Sequence, residues 1–288
     1  MTKIEWVKNK DETQGRTWNP VTGCSKTSAG CQNCYAERMA KRLRGRYGYD
    51  ADEPFKVTLH PDRLSEPLKW RKPQMVFVCS MGDLFHEDVP DDYIHHVYDV
   101  METAKQHTFI VCTKRPERLV PVLYDTHYLG GGDYLPNVWH LCTAENQEMA
   151  DKRIPELLKL GEQSPGWPVL GVSVEPMLGV VDLTQIDTDC KKITLNSLTG
   201  IPYDWDYDAW QPEDNIGSKI DWVICGSESG PKRRPMKIEW ARDLKNQCVN
   251  ANIPFFLKQM EIGGKLIKTP ELDGQEWNQR PEVKQSES

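Results

Sequence analysis

The chain has no apolar run near the roughly 18 residues that a membrane-spanning helix requires. Its opening, Met1-Thr2-Lys3-Ile4-Glu5-Trp6, lacks the apolar stretch and small-residue cleavage site of a secretory leader. A cytoplasmic location follows as the default expectation. Basic charge is also in short supply: 36 lysines and arginines face 43 aspartates and glutamates, a formal net charge of -7. That balance argues against a general nucleic-acid or membrane-surface binder, while leaving room for a local basic patch. Internal repeats are missing, and so is a disulfide framework, because nine cysteines is an odd number without regular spacing. In a reducing compartment these residues stay thiols, and a tight group among them points to metal or catalysis.

What is present suits a sizeable core: 288 residues, 38% hydrophobic and 27% charged. Short β-branched or apolar runs recur at Phe55 to Leu59, Met75 to Cys79, Thr108 to Cys112, Asn137 to Cys142, Val169 to Val174, Asp221 to Cys225 and Ile253 to Leu257. Between them, Pro90 to Lys105, Pro116 to Tyr124, Asn146 to Leu160 and Lys237 to Ala251 read as amphipathic helices. Nearly continuous apolar strands alternating with helices predict a parallel sheet covered on both faces. The fold class expected is therefore α/β, a full or partial (β/α) barrel with parallel strands.

In such a barrel the chemistry gathers at the carboxyl ends of the strands. Here those ends read Ser80-Met81-Gly82-Asp83, Thr113-Lys114-Arg115, Thr143-Ala144-Glu145-Asn146, Ser173-Val174-Glu175-Pro176, Gly226-Ser227-Glu228-Ser229 and Lys258-Gln259. Repeated carboxylates, hydroxyls and cations after apolar strands predict one polar rim. The rhythm breaks at about 183–219, where polar residues and spaced aromatics (Tyr203, Trp205, Tyr207, Trp210) predict an insertion near that rim, a lid or a surface excursion. One domain is expected over 1–268, followed by a Pro-, Glu-, Gln- and Ser-rich tail, 269–288, with a disordered composition.

The informative stretch is the loop 17–37, in which Cys24, Cys31 and Cys34 are spaced Cys-x6-Cys-x2-Cys. Gly23 and Gly30 each precede a cysteine, where glycine lets a loop wrap closely around a bound group. A structural zinc site wants four ligands, and an electron-transfer cluster is normally held by four cysteines. Three thiolates leave one iron of a cluster open to a cofactor or substrate. The competing reading is zinc with a fourth ligand from elsewhere, such as His60, His86 or Cys79.

From Trp18-Asn19-Pro20 through Cys34-Tyr35-Ala36-Glu37 the sequence resembles a phage family named after gene products 37 and 68. The likeness continues through Ser80 to Phe85, Thr113 to Pro116, Ser173 to Pro176 and Gly226 to Gly230, covering most of the first 260 residues. More broadly the chain is similar to radical S-adenosylmethionine enzymes of atypical cysteine spacing. The usual pattern in that superfamily is Cys-x3-Cys-x2-Cys, and here the first gap is longer by three residues.

That resemblance implies a radical-SAM-type barrel in which Cys24, Cys31 and Cys34 hold a [4Fe-4S] cluster whose open iron binds S-adenosylmethionine. It implies cofactor contacts from Ser80, Gly82 and Asp83, with Lys114 or Arg115 pairing the cofactor carboxylate. Glu145, Glu175 and Glu228 are expected to meet ribose or substrate groups from the mouth. An electron donor such as a flavodoxin or ferredoxin is implied, and the phage likeness suggests a nucleotide or nucleic-acid substrate. Lys232, Arg233 and Arg234, kept extended between prolines, are candidate phosphate contacts. Two other function classes stay open: a non-catalytic zinc- or cluster-binding module, and a metal-dependent hydrolase or nuclease using Asp83, Glu145 and Glu175.

Overall fold

A computed structural model describes residues 4–124, 135–163, 169–188, 190, 192–204, 209–210 and 217–282. Eight strands lie side by side in chain order: β1 (Arg16–Trp18), β2 (Met75–Val78), β3 (Thr108–Thr113), β4 (Val138–Thr143), β5 (Leu170–Val174), β6 (Trp222–Gly226), β7 (Phe255–Ile262) and β8 (Lys265–Lys268). β1 to β7 pair in parallel, and β8 folds back antiparallel on β7. Every residue of β4, β5 and β6 is buried, as expected for strands covered on both faces.

Outside the sheet lie α1 (Tyr35–Leu43), α2 (Asp91–Thr103), α3 (Leu119–Tyr124), α4 (Gln147–Gln163) and α5 (Ile238–Asn250). α2 shows why they pack there: Tyr93, Ile94, Val97, Tyr98 and Met101 recur at helical spacing on its buried side. Among the described residues no helix is long and apolar enough to cross a membrane.

The sheet is curled. Across a flat sheet β2 and β6 would stand about 19 Å apart, four strand spacings. Yet the Trp6 ring lies 4.9 Å from Phe77 on β2 and 5.9 Å from Trp222 on β6. Trp6 and Val7 fill the concave side together with Ile110, Trp139, Leu141 and Phe256. β1 and β8 remain as separate edges, so the barrel is a half-barrel rather than a closed one. Because Trp6 is 4% exposed and wedges between distant strands, Trp6→Ala should cost about 3–5 kcal/mol. Urea unfolding of the variant measures this.

Three expectations need correction. Phe55 to Leu59 is mostly irregular: only Thr58–Leu59 is strand, paired antiparallel with Val21–Thr22 outside the main sheet. The segment 183–219 forms a separate antiparallel sheet, ordered Ala209–Trp210, Ile201–Asp204, Ile193–Asn196, Ile186–Asp187. It stands where a crossover helix would join β5 to β6, with Asp187 N–H donating to Asp151 of α4 at 3.1 Å. Leu183, Ile186 and Leu198 join the main core, so it belongs to the outer layer and not to a lid over the rim. Trp205 and Tyr207 lie outside the described residues.

Residues 269–282 are packed despite their polar composition. Leu272 is 1% exposed, Trp277 stands edge-on to Phe255 at 6.3 Å, and Leu257 N–H donates to Trp277 O at 2.7 Å. The remainder of the tail, 283–288, lies outside the described residues.

Candidate active site

The three cysteines sit on the loop that leaves the carboxyl end of β1 and enters α1, over the mouth of the half-barrel. Cys31 closes a short 3-10 turn, Ala29–Cys31, and Cys34 caps the amino end of α1. All three are free thiols and half-buried. Gly23 makes the entry to this loop at φ +84, where a Cβ would lie 2.1 Å from Lys56 O. Gly30 is needed for a close approach: a Cβ there would meet the Glu145 carboxyl carbon at 2.9 Å. Gly23 is thus required by the backbone, and Gly30 by the buried Glu145 side chain packed against it.

Three buried carboxylates, each on a different rim turn, hold the loop in place. The first is Asp83, after β2. Its Oδ1 accepts the Thr113 hydroxyl at 2.7 Å and Phe85 N–H at 3.1 Å, and its Oδ2 accepts Lys114 N–H at 3.1 Å and Arg115 Nη1 at 3.4 Å. Arg115 passes the contact on: Nη1 donates to Cys24 Sγ at 3.4 Å, and Nη2 to Ser25 Oγ at 2.8 Å. Asp83 is therefore filled by this chain's own donors rather than kept for a cofactor ammonium. Arg115 braces the loop instead of waiting for a carboxylate.

The second is Glu145, after β4 and fully buried. It accepts Gly30 N–H at 2.8 Å and pairs with Arg153 of α4 at 3.0 Å. Burial opposes its charge, but the Ser28 hydroxyl, the Gly30 N–H and Arg153 together hold its carboxyl below the usual carboxylate range. The third is Glu228, after β6, which accepts the Asn33 amide at 2.8 Å and the Arg234 guanidinium at 2.5 Å. Arg234 then reaches Ala29 O at 2.9 Å and Gln32 Oε1 at 3.2 Å, closing a clamp over the Cys31–Cys34 turn.

The turn after β2 serves the same end. Ser80 Oγ and Met81 N–H both donate to Asn19 Oδ1, at 3.1 and 3.0 Å, and Gly82 pairs with Gly23 in an isolated parallel bridge. The basic run near 232 is not the free phosphate site that its sequence suggests. Arg234 is taken by Glu228, and Arg233 is bound to Glu261 and to Gly264 O; Lys232 alone stays uncommitted among the described residues.

Below the loop the concave face turns polar. Strand alternation continues the inward row of Ile110 through Cys112 to Lys114, and that of Leu141 through Thr143. Cys112 Sγ lies 3.5 Å from Thr143 Oγ1, and Glu175 is paired across the mouth with Lys258. Lys114 is half-buried and has no ion-pair partner among the described residues. Asp83, Glu145 and Glu175 do not converge on a shared ion, since each is neutralised by its own cation.

The thiols themselves differ. Burial pushes the Cys24 thiol up to about 11, Asp83 adds to the rise, and Arg115 opposes it. Cys31 is held below the ordinary thiol value: burial opposes this, but the Lys114 ammonium and hydrogen bonds from Thr27 and Ser28 prevail. A coordinated metal deprotonates either outright. Among the described residues no three His, Cys, Asp or Glu side chains gather closely enough to hold a single ion. A lone zinc would need its sulfurs about 4 Å apart, from 2.3 Å bonds at tetrahedral angles, whereas a cube offers each thiolate a different iron.

The fourth zinc ligands that the sequence suggests are engaged elsewhere or sealed off. His60 is bonded to the Thr22 hydroxyl at 2.8 Å, and Cys79 is 4% exposed with its thiol pushed up to about 12 by burial. His86 Nδ1 accepts Asp88 N–H at 3.0 Å, so Nε2 carries the proton that it gives to Ser25 Oγ at 2.8 Å. Among the described residues the donor set at the mouth is therefore three thiols without a fourth ligand side chain, a set whose chemistry fits a [4Fe-4S] cluster with one open iron.

Residues 1–281 of the 288 match the model of one protein family, described as a protein of unknown function, DUF5131. The chain belongs to that family. None of the curated proteins matches it. Among solved structures, spore photoproduct lyase complexed with dinucleoside spore photoproduct is similar at TM-score 0.44 and 12% identity, over 80% of this chain and 71% of the lyase. A doubly substituted variant of spore photoproduct lyase, with bound AdoMet and dinucleoside spore photoproduct, is similar at TM-score 0.40 and 14% identity, over 56% of this chain. The family member spans less than half of that second protein, 45% of its length.

Arg153, Asn33 and Asn19 are site residues that reading the sequence overlooks. Arg153 carries a usable signal, because it falls among Ala150, Ile154 and Leu157 on the buried side of α4, where an arginine needs a buried partner. Asn19 and Asn33 carry none.

Proposed function

We propose that this family member is a radical S-adenosylmethionine enzyme whose [4Fe-4S] cluster is held by Cys24, Cys31 and Cys34. The observation that carries this reading is three free thiols on one braced loop over the mouth of a curled parallel sheet, with His60, His86 and Cys79, the other candidate ligands, engaged or sealed off elsewhere. When bound, such a cluster supplies one electron that cleaves the sulfonium of the cofactor to methionine and a 5′-deoxyadenosyl radical. The chain's own residues position and shield. Arg115 and Arg234 from rim turns and Arg153 from α4 fix the loop, so the thiolates stay in place as charge changes nearby.

The Trp6, Trp139 and Trp222 plug closes the far side, leaving the mouth as the way in and keeping solvent from a reactive interior. Lys114, half-buried and facing that interior, supplies a cation for a carboxylate or phosphate group of the bound molecules. A low-potential donor of the flavodoxin or ferredoxin type would deliver the electron.

Anaerobically reconstituted protein should contain about four irons and four sulfides per chain. With dithionite and S-adenosylmethionine it should release 5′-deoxyadenosine, read by liquid chromatography. Cluster-replete protein that neither binds the cofactor nor forms 5′-deoxyadenosine would sink the proposal, and so would a colourless protein carrying one zinc.

A further inference from the structure

The three cysteines are not equivalent in what surrounds them. Cys24 Sγ receives a charged N–H from Arg115 at 3.4 Å. Cys31 Sγ has two hydroxyls beside it, Thr27 Oγ1 at 3.7 Å and Ser28 Oγ at 4.0 Å, and the Lys114 ammonium acts on it through space, but among the described residues no charged N–H donates to it. Cys34 Sγ has no hydrogen-bond donor among the described residues. Arg115 is 7% exposed and Asp83 5%, so the cation is locked rather than mobile. Its Nη2 is fixed by Ser25 Oγ at 2.8 Å and Ser25 O at 3.3 Å, and its Nη1 is shared between Asp83 and the sulfur. Asp83 in turn is fixed by Thr113, Lys114 and Phe85. The result is a buried ion pair whose positive end touches one candidate ligand sulfur, with the negative end close enough to oppose it.

We infer that Arg115 sets the reduction potential of the cluster, acting as a positioning and tuning residue through Cys24. The inference rests on the cluster reading above and deepens it. Hydrogen bonds to the sulfurs and the local charge are among the terms that fix iron–sulfur potentials. The electron, taken from an external low-potential donor, makes the cluster and its thiolates one unit more negative. A guanidinium N–H at a ligand sulfur favours that more negative state, so it raises the potential. A charge-assisted bond is roughly twice as strong as a neutral one, and burial leaves it poorly screened by salt. Among the described residues neither Cys31 nor Cys34 accepts a charged N–H, so this hydrogen bond acts at one corner of the cube, while Lys114 acts on Cys31 only through space. Asp83 works in the opposite sense: it orients the guanidinium and limits the rise.

The test is a potentiometric titration, followed by electron paramagnetic resonance of the reduced cluster, on anaerobically reconstituted full-length protein. Wild type is compared with Arg115→Gln, Arg115→Lys and Asp83→Asn. Arg115→Gln should be harder to reduce, with its midpoint moved to more negative potential. Arg115→Lys, which keeps the charge, should lie between that variant and wild type. Asp83→Asn removes the opposing anion and should move the midpoint to more positive potential. A purely structural brace would lower cluster content without moving the midpoint of the loaded fraction.

An unchanged midpoint in Arg115→Gln overturns the inference, as does a negative shift in Asp83→Asn. Should Arg115→Gln fail to load, the opposite signs expected of the other two variants decide the matter, and an unshifted Asp83→Asn counts against it. Wild-type protein that takes up no iron and sulfide would instead overturn the cluster reading itself.

Discussion

Replacing Cys31 by Ala is expected to abolish iron loading and 5′-deoxyadenosine formation while leaving the fold intact. The thiol is half-buried on a surface loop, and the hydroxyls beside its sulfur stand at 3.7 and 4.0 Å. Neither is short enough to stabilise much, so the loss in unfolding free energy should stay near 1 kcal/mol. Loss of one of three thiolates strips an iron of its anchor, and the loop holds no spare sulfur: Cys79 is sealed in the core and Cys112 lies below, against Thr143. The expected outcome is colourless protein with a wild-type urea midpoint and product below detection. Retention of a hydrolytic activity in this variant, or of four irons per chain, would tell against the assignment.

The second large effect is expected at Glu145→Ala, and it should divide into stability and site placement. Glu145 is fully buried and Arg153 nearly so, with 3.0 Å between their charged groups. Removing the carboxylate strands a buried guanidinium, which typically costs about 3–5 kcal/mol. It also deprives Gly30 N–H of its acceptor, one residue before Cys31. A double variant, Glu145→Leu with Arg153→Met, should recover much of the stability, since replacing both charges by apolar groups is often neutral. Cluster loading should not recover, because nothing then grips Gly30.

Equal recovery of loading and stability would show that the pair is only a core element. The pH dependence has a defined sign. The folded-state carboxyl of Glu145 is depressed below its ordinary 4.5, so its contribution is complete above that value and is lost as pH falls through the folded value. The gap between wild type and Glu145→Ala should therefore shrink in acid.

The sheet was legible where strands are continuous apolar runs, from Met75 through Leu257, because such runs suit covered parallel strands and little else. β1 was not legible: Arg16-Thr17-Trp18 has no apolar pattern, and its strand character comes from pairing with Val76 to Val78. The tail misled for the opposite reason. Its average composition is polar, yet Leu272 and Trp277 suffice to pin it against the core.

At the mouth, the cysteine loop stands out in the sequence because its three cysteines and two glycines lie close together. The partners of that loop do not. Arg115 lies 91 positions from Cys24 and Arg234 lies 205 from Ala29, distances that only the finished fold brings together. In the sequence the rim carboxylates read as a group of contacts for a bound guest. Asp83, Glu145 and Glu228 turn out to be committed to the protein's own loop, and charged residues at strand ends look alike in either role.

Residues 4–12 and 278–282 meet at the amino ends of the strands, where Glu12 pairs with Arg280 and Glu5 with Lys268. A fluorophore, affinity handle or solid support attached at Lys10 or Glu282 would consequently hang from the side opposite the thiol loop. Immobilised protein should thus keep its entrance turned towards the bulk liquid, which makes surface-based binding measurements on the intact molecule practicable.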